Sequence, residues 1–551
     1  MMLKAVLLAP LICLSAAAEP VIVNPSFEQV AENGQPLGWK AWSTLGDEAA
    51  KGCTTVEVGD APDGKRVGQL APAAPQIAIL SQNLQGLVPG QWYEVSGMIR
   101  CNGAVGHGCR LAVEYWRGSV AYGGVDSESL VGDVAWQKAV VRFAAPSTAY
   151  RVQLDFIFSG QSGTGWMDDL AIKAIAPPAP DISGRRVLDG PFWGVFTCFA
   201  RWFHKYARDM QEAGVVWHRM GLGATAPDLQ KLAAETGIVF ACCIDGMPGA
   251  RDANDPCYPV THWGDYLGFI GPFIEKPAPQ VRIWEIFNEP NLVASWTLPG
   301  YSNLLNRAAK AIKATQTGIL VGTGGLGLPF PGYVEALLKR DQEKLIDVVL
   351  IHPYAVDEGL DSQLTAVSEA CVRTGRPDIA VAINETGWPT WDPATGYQDY
   401  SQFVSEAEQA RNIVKLHIQS QAHRLSFVTY LGWNDVDEKT DQAHNMGLVR
   451  LDGSPKPSWR AYRFMTATIG DRRVEQWSCG KEGTRVYRFS GEKPLWAVWN
   501  ALEDTKVVVD TGDVDVFPCD LYGTKLAVTP VRGKVEVKVG EAPVYLVPVE
   551  P

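Results

Sequence analysis

The stretch that decides the fold is Trp284-Glu285-Ile286-Phe287-Asn288-Glu289-Pro290-Asn291. It reads as a buried strand, Val281 to Phe287, that stops at a polar Asn-Glu pair followed by proline. Proline has no amide donor, so a central strand ends there. Asn288 and Glu289 therefore sit at a strand's C-terminal tip, where parallel barrels place their active sites. A second tip of the same kind follows at Ile379-Ala380-Val381-Ala382-Ile383-Asn384-Glu385-Thr386-Gly387-Trp388-Pro389. Again an apolar run ends in a carboxylate, then Gly and Pro.

Working outward, the region after residue 188 alternates short apolar strands with helical segments. Strands are expected near 192–198, 215–220, 237–244, 281–288, 318–324, 346–352, 378–385 and 426–433. Between them Leu305, Ala308, Ala309 and Ile312 share one helical face, as do Phe403, Ala407, Ala410 and Val414. Eight strands alternating with helices is the count of an α/β (β/α)8 TIM barrel. No Gly-rich phosphate loop opens a helix here, which disfavours the doubly wound sheet. The other strand tips carry Trp217-His218-Arg219, Ile351-His352-Pro353-Tyr354 and Leu431-Gly432-Trp433-Asn434.

These residues carry a resemblance over about 190–466. Asn-Glu-Pro resembles the acid/base motif of clan A glycoside hydrolases, and Glu-Thr-Gly-Trp-Pro their nucleophile motif. Families 5 and 39 of that clan also carry an Arg after strand two, a His or Tyr after strand six and a Trp after strand eight. The resemblance implies that Glu289 is the proton donor and Glu385 the nucleophile of a retaining hydrolase of O-glycosidic bonds. Retention by double displacement requires carboxyls about 5–5.5 Å apart, whereas inversion needs roughly 6.5–9.5 Å. It implies further that Glu289 has a raised pKa, that Arg219 keeps Glu385 ionised, and that Asn288 binds the sugar 2-hydroxyl. His352 and Tyr354 are expected to hydrogen-bond the nucleophile, and Trp433 to offer an apolar face to the sugar. Asp245 and Glu285 are poorer candidates, since an inward Glu285 pairs inside the barrel. Trp193, Trp202, Trp263, Trp296, Trp388 and Trp391 fall on or near loops of that face, where some of the 19 tryptophans serve as sugar platforms.

Residues 20 to about 176 read as all-β. Alternating runs such as Trp92–Val95, Leu111–Tyr115, Ala139–Phe143 and Val152–Phe156 are separated by Gly, Pro and Asn turns, the pattern of a sandwich. The opening Asn24-Pro25-Ser26-Phe27-Glu28, then Gly86-Leu87-Val88-Pro89-Gly90, and the closing Trp166-Met167-Asp168-Asp169-Leu170 resemble carbohydrate-binding modules of family 4/9. That likeness implies sugar binding, and makes Asp169 a candidate ligand for a structural calcium; a spacer sandwich is the alternative. No other cofactor, and no metal in the active site, is expected. Residues 177–188 read as a Pro-rich linker, opened by the stiff Ala176-Pro177-Pro178-Ala179-Pro180. It predicts a separately folding module, so that residues 189–467 form a self-sufficient catalytic barrel. From about 468 to 551, runs such as Thr484–Phe489, Leu495–Trp499 and Lys534–Val539 predict a small C-terminal β-sandwich that packs on the barrel.

The 551 residues suffice for several domains with ample cores. The formal charge is −12, and no basic cluster suggests nucleic acid or an anionic membrane. Residues 1–18, with Lys4, an apolar Ala5–Leu14 and small Ala16-Ala17-Ala18, read as a signal peptide. The expectation is a secreted protein, extracellular or periplasmic, whose partner is carbohydrate and which has no membrane span. Of its cysteines, Cys101 with Cys109 and Cys479 with Cys519 are the pairs offered for bridges, while Cys242 and Cys243 read as buried thiols. A sugar-binding or cell-surface protein that kept the scaffold without turnover is the rival reading. The sugar, the linkage and endo or exo action are left open by the sequence.

Overall fold

The computed structural model describes residues 20–549, apart from 33, 47–48, 73, 75, 198, 246–259, 277, 294–295, 329, 391–402, 437–444, 480–482 and 528. Residues 1–18, expected to be a signal peptide, together with Trp391 and most of the loop from Gly246 to Thr261, lie outside the described residues.

Eight parallel strands close into a barrel: β1 (Trp193–Phe196), β2 (Trp217–Gly221), β3 (Val239–Ile244), β4 (Val281–Ile286), β5 (Leu320–Gly322), β6 (Val348–Ile351), β7 (Ala380–Ile383) and β8 (Val428–Leu431). Each pairs with the next, and β8 closes onto β1 through Val428–Trp193 and Leu431–Phe196. A helix follows every strand: α1 (Ala200–Glu212), α2 (Pro227–Thr236), α3 (Trp263–Ile274), α4 (Leu298–Thr315), α5 (Pro331–Arg340), α6 (Asp357–Arg373), α7 (Glu406–Ala422) and α8 (Pro457–Ile469). The strands are covered on both faces, which is why β6, β7 and β8 read Val-Val-Leu-Ile, Ala-Val-Ala-Ile and Val-Thr-Tyr-Leu without a charged residue. Inside the barrel Ala241, Ile283, Leu350 and Ala382 pack together; Leu188, in the segment leading into β1, joins them. Trp217 stacks on Phe427 at 4.2 Å in the same cluster. The strand ends opposite this apolar plug are left for polar residues.

The N-terminal domain is a sandwich-like sheet of eight strands. Two long strands, Trp92–Arg117 and Arg151–Ile175, run through it side by side. Glycines allow both to bend: Gly106 (φ 132°), Gly108 (φ 83°) and Gly163 (φ 109°) take backbone angles that side chains resist. Leu80, Val95, Leu111, Phe143, Phe156 and Met167 fill its core.

The C-terminal domain has a five-stranded antiparallel sheet and a two-stranded one. Its strand Leu495–Asn500 is buried along its whole length. Trp496 and Val498 face the domain's own core, whereas Ala497 and Trp499 join the barrel's cluster. Arg485, fully buried, pairs with Glu358 at 3.0 Å and with Asp361 in the first turns of α6, which joins this domain to the barrel.

Two expectations are corrected here. Cys101, Cys109, Cys479 and Cys519 are free thiols. Cys101 and Cys109 share one strand and interact as thiols. Cys479 and Cys519 lie on strands at opposite edges of the five-stranded sheet, roughly 19 Å apart at the usual strand spacing and far beyond disulfide reach. The N-terminal domain is also not a tethered module. Arg142 reaches Glu369 of α6 at 2.9 Å, the Ala144 amide donates to Ser362 at 2.8 Å, and Arg117 pairs with Glu408 at 2.7 Å. The proline segment itself shares a surface depression with Glu369, Val372 and Arg373.

Candidate active site

Every strand tip singled out by the sequence opens on the same end of the barrel. Arg219 comes from β2, Asn288 and Glu289 follow β4, His352 and Tyr354 follow β6, Glu385 follows β7 and Trp433 follows β8. The closest donor atoms of Glu289, His352 and Glu385 all lie within 4.8 Å of one another.

Arg219 is buried at the centre, and its guanidinium is saturated with acceptors. Nε and Nη2 hold both oxygens of Glu285 at 2.8 Å, Nη1 reaches Glu385 Oε2 at 2.5 Å, and Nη2 donates to Asn288 Oδ1 at 2.6 Å. Two carboxylates and the amide keep this cation compensated where water is excluded. Glu285, which the sequence places inside the barrel, thus acts as the counter-ion that aims Arg219. Because Asn288 accepts from Arg219 through its oxygen, its NH2 group is directed to whatever enters the cleft.

The two glutamates have different partners. Glu385 accepts from Arg219 and, through Oε1, from the Tyr354 hydroxyl at 2.8 Å. Burial, with Glu385 and Glu289 nearby, pushes the Tyr354 hydroxyl well above its ordinary pKa, so it remains a donor. Glu289 instead meets His352 Nδ1 at 3.0 Å through Oε1. The expectation that His352 serves the nucleophile is corrected: it holds the other carboxyl. Burial alone raises the Glu289 pKa, but the His352 hydrogen bond and charge, with Arg219 behind them, bring it below the ordinary value. This reverses the raised pKa expected from the sequence, because a buried imidazole was not anticipated beside it.

Glu289 stands on a strained turn. Phe287 (φ 70°) and Glu289 (φ 48°) both occupy the left-handed region, which costs side-chain-bearing residues of the order of 1 kcal/mol or more each. Surrounding contacts hold the turn in place. The Glu289 amide donates to Gly325 O at 2.8 Å, and Asn291 pairs reciprocally with the Gly327 backbone at 2.7 and 3.0 Å. Tyr301 of α4 donates to Ile286 O and accepts from the Gly324 amide, tying the ends of β4 and β5. Trp296 and Tyr266 pack on Phe287 from below.

The Gly324-Gly325-Leu326-Gly327 run was missed by sequence reasoning, although three glycines after a strand were visible. A Cβ on Gly324 would lie 2.6 Å from Phe287 O, and one on Gly325 2.0 Å from His352 Nε2.

Trp433 reaches the expected strand tip but is only 1% exposed and belongs to the core cluster, so it is not an open platform for sugar. Trp193, Trp296 and Trp388 are likewise buried. Among the described members Trp263 is the exposed one, covered by Arg307 at 4.0 Å from its ring centre. In the sandwich Asp169 is exposed with φ 49°, while its neighbour Asp168 is buried and accepts from the Asp63 amide. Asp169 is absent from the three-donor grouping found among the described residues. In that grouping a cation would compete with Arg219, which already neutralises Glu385.

A cleft of about 920 Å³ opens over Arg219, Asn288 and Glu385, walled by Phe196, Leu222 and Asp245. It is open enough for a sugar ring and presents the Glu385 carboxyl and an amide donor, and the carboxyl of Glu289, hydrogen-bonded to the His352 imidazole, stands within 4.8 Å of Glu385. Such a set can attack a carbon while protonating its leaving group.

No known protein-family profile matches the chain. A curated relative, a beta-xylosidase from Caldicellulosiruptor saccharolyticus, is 25% identical over 212 residues, which cover 35% of this chain and 43% of that protein. The match therefore spans less than half of that relative's length. Among solved structures, a family 39 glycoside hydrolase from Bacteroides cellulosilyticus WH2 superposes with a TM-score of 0.51 at 17% identity, over 82% of this chain and 96% of that one. The two share the (β/α)8 fold. A family 51 alpha-L-arabinofuranosidase from Bifidobacterium longum aligns over 65% of this chain and 95% of that one, with 16% identity and a TM-score of 0.43.

Proposed function

We propose that the protein is an exported, retaining glycoside hydrolase acting on a poly- or oligosaccharide by double displacement, with Glu385 as nucleophile and Glu289 as acid/base. The observation that carries the reading is the pairing of two carboxyls on one barrel face, an oxygen of each within 4.8 Å of the other, and each carboxyl with its own kind of partner. That spacing favours the arrangement of retaining enzymes over the wider gap that inversion needs for a water molecule.

In the first step a Glu385 oxygen attacks the anomeric carbon as the bond to the leaving oxygen breaks. Glu289, in its protonated form, gives its proton to that oxygen. Arg219 and Tyr354 orient Glu385, and the Asn288 NH2 is placed to bind a substrate hydroxyl as positive charge develops on the ring. Once Glu385 is an ester its negative charge is gone. Glu289, now a carboxylate, takes a proton from water, the resulting hydroxyl attacks the anomeric carbon, and Glu385 leaves as a carboxylate.

The beta-xylosidase relative makes a β-xyloside the first substrate to try. Aryl glycosides of several sugars, followed by NMR of the first-formed anomer, test the proposal. Retained configuration is expected; inverted product would overturn the double displacement. Tight sugar binding with no hydrolysis of any glycoside would favour the scaffold-only alternative.

A further inference from the structure

The sandwich reaches the barrel at a consequential place. His107 lies on its long strand Trp92–Arg117, between two glycines that no other residue could replace without clash. A Cβ on Gly106 would sit 2.3 Å from Gly160 Cα, and one on Gly108 2.0 Å from Leu130 O. This bend carries the imidazole out of its own domain, and it is buried to 1% exposure. His107 Nε2 donates to Val293 O at 2.7 Å, and its ring packs edge-on to Tyr333 of α5. Glu289 and Val293 are the two ends of one short turn, Pro290–Leu292, which begins at Glu289 and is closed by Val293. Fixing the Val293 carbonyl therefore fixes the far end of the turn that aims the carboxyl of Glu289.

Two further contacts fall on the neighbouring loops. Asp126 accepts from the Gly332 amide at 2.7 Å, just beyond the glycine run after β5. Gly123, by lacking a side chain, admits Ala355, the residue after Tyr354; a Cβ on it would lie 3.3 Å from that of Ala355. One domain thus touches the segments behind Glu289, Gly325 and Tyr354.

We propose that the N-terminal sandwich is a positioning element of the catalytic face and that His107 is the residue through which it holds the Glu289 turn. This rests on the reading of Glu289 as acid/base. The role is distinct from sugar binding by the sandwich, and from catalysis, because His107 touches neither carboxyl nor cleft.

His107→Ala in the full chain is the test, read in two ways. Turnover of an aryl glycoside with an unactivated phenol should fall roughly tenfold, because that leaving group needs a well-placed acid, whereas a dinitrophenyl glycoside should lose less than about twofold. Hydrogen exchange of the amides from 289 to 293 should quicken. His107→Gln keeps a donor for Val293 O and should recover part of both, and it carries the test if the alanine variant does not fold. Equal losses on both glycosides, or unchanged exchange across the turn, would overturn the proposal. A wild-type protein inactive on all glycosides would remove the glycosidase reading, while the exchange measurement would still decide whether His107 holds the turn.

Discussion

At the scale of single residues, the chemistry rests on what each glutamate touches. Arg219 and Tyr354 hold Glu385, while His352 holds Glu289. With Glu289→Ala, a dinitrophenyl glycoside should still form the covalent intermediate, and azide should rescue turnover with retained configuration. With Glu385→Ala, azide should attack directly and give inverted product. Swapped stereochemistry would reverse the roles, and near-wild-type turnover in either variant would remove them; acid–base help alone amounts to about 10²–10⁴-fold. A second prediction concerns pH. Burial raises the Glu289 pKa, and His352 is the largest influence lowering it. His352→Leu should therefore raise that pKa. The acid works when protonated, so the alkaline limb of kcat/KM should move to higher pH, and a downward move would contradict the assignment. For stability the sign is opposite. A depressed carboxyl stabilises the wild-type fold above its unfolded value of about 4.3, and that contribution disappears as pH falls through the lower folded value.

At the scale of elements, the strand-end loops of β4 and β5 work as one interlocked unit. The positive φ angles of Phe287 and Glu289 persist because the Gly324–Gly327 backbone and Tyr301 over-determine them. Gly325→Ala would drive a methyl group to 2.0 Å from His352 Nε2. The imidazole would have to move, and with it the hydrogen bond to Glu289. Activity on unactivated glycosides should drop at least tenfold, with a loss of about 1–3 kcal/mol in stability from overpacking. Adding His352→Ala should restore the melting temperature without restoring activity. Recovery of both would show that His352 is only a packing residue.

For the whole molecule, the three domains unfold as one body if the contacts across their seams count. The Pro-rich segment predicts independence, but Arg142–Glu369, Ala144–Ser362 and Asp126–Gly332 cross one seam, and Arg485 with its acidic partners crosses the other. Several of these groups are buried, and removing one partner of a buried charge pair costs about 3–5 kcal/mol. A chain lacking residues 19–176 is expected to be poorly soluble and to lose turnover on small aryl glycosides as well as on polymer. The intact chain should melt in a single transition. A soluble barrel with wild-type turnover would restore the picture of a separable module.

The barrel and the two glutamates were legible in sequence because they depend on local rules. Apolar runs of four to six residues bounded by Asn-Glu-Pro or Glu-Thr-Gly declare both a strand and its end; seven of the eight strands fall within the expected segments, and β2 runs one residue past its own, to Gly221. Glu285 was legible too, since a carboxylate inside such a run has to pair internally. The partners of the glutamates were not legible. Whether His352 or Tyr354 reaches Glu385 depends on how β6 is placed against β4 and β7, a matter of barrel stagger over residues far apart in the chain. The burial of Trp433 and Trp296, the separation of Cys479 from Cys519, and the docking of His107 on Val293 are of the same kind. Hydrophobic period and turn chemistry specify an element's type and ends. Only the packing of distant elements decides which side chains exclude water together, and with that which carboxyl an imidazole faces.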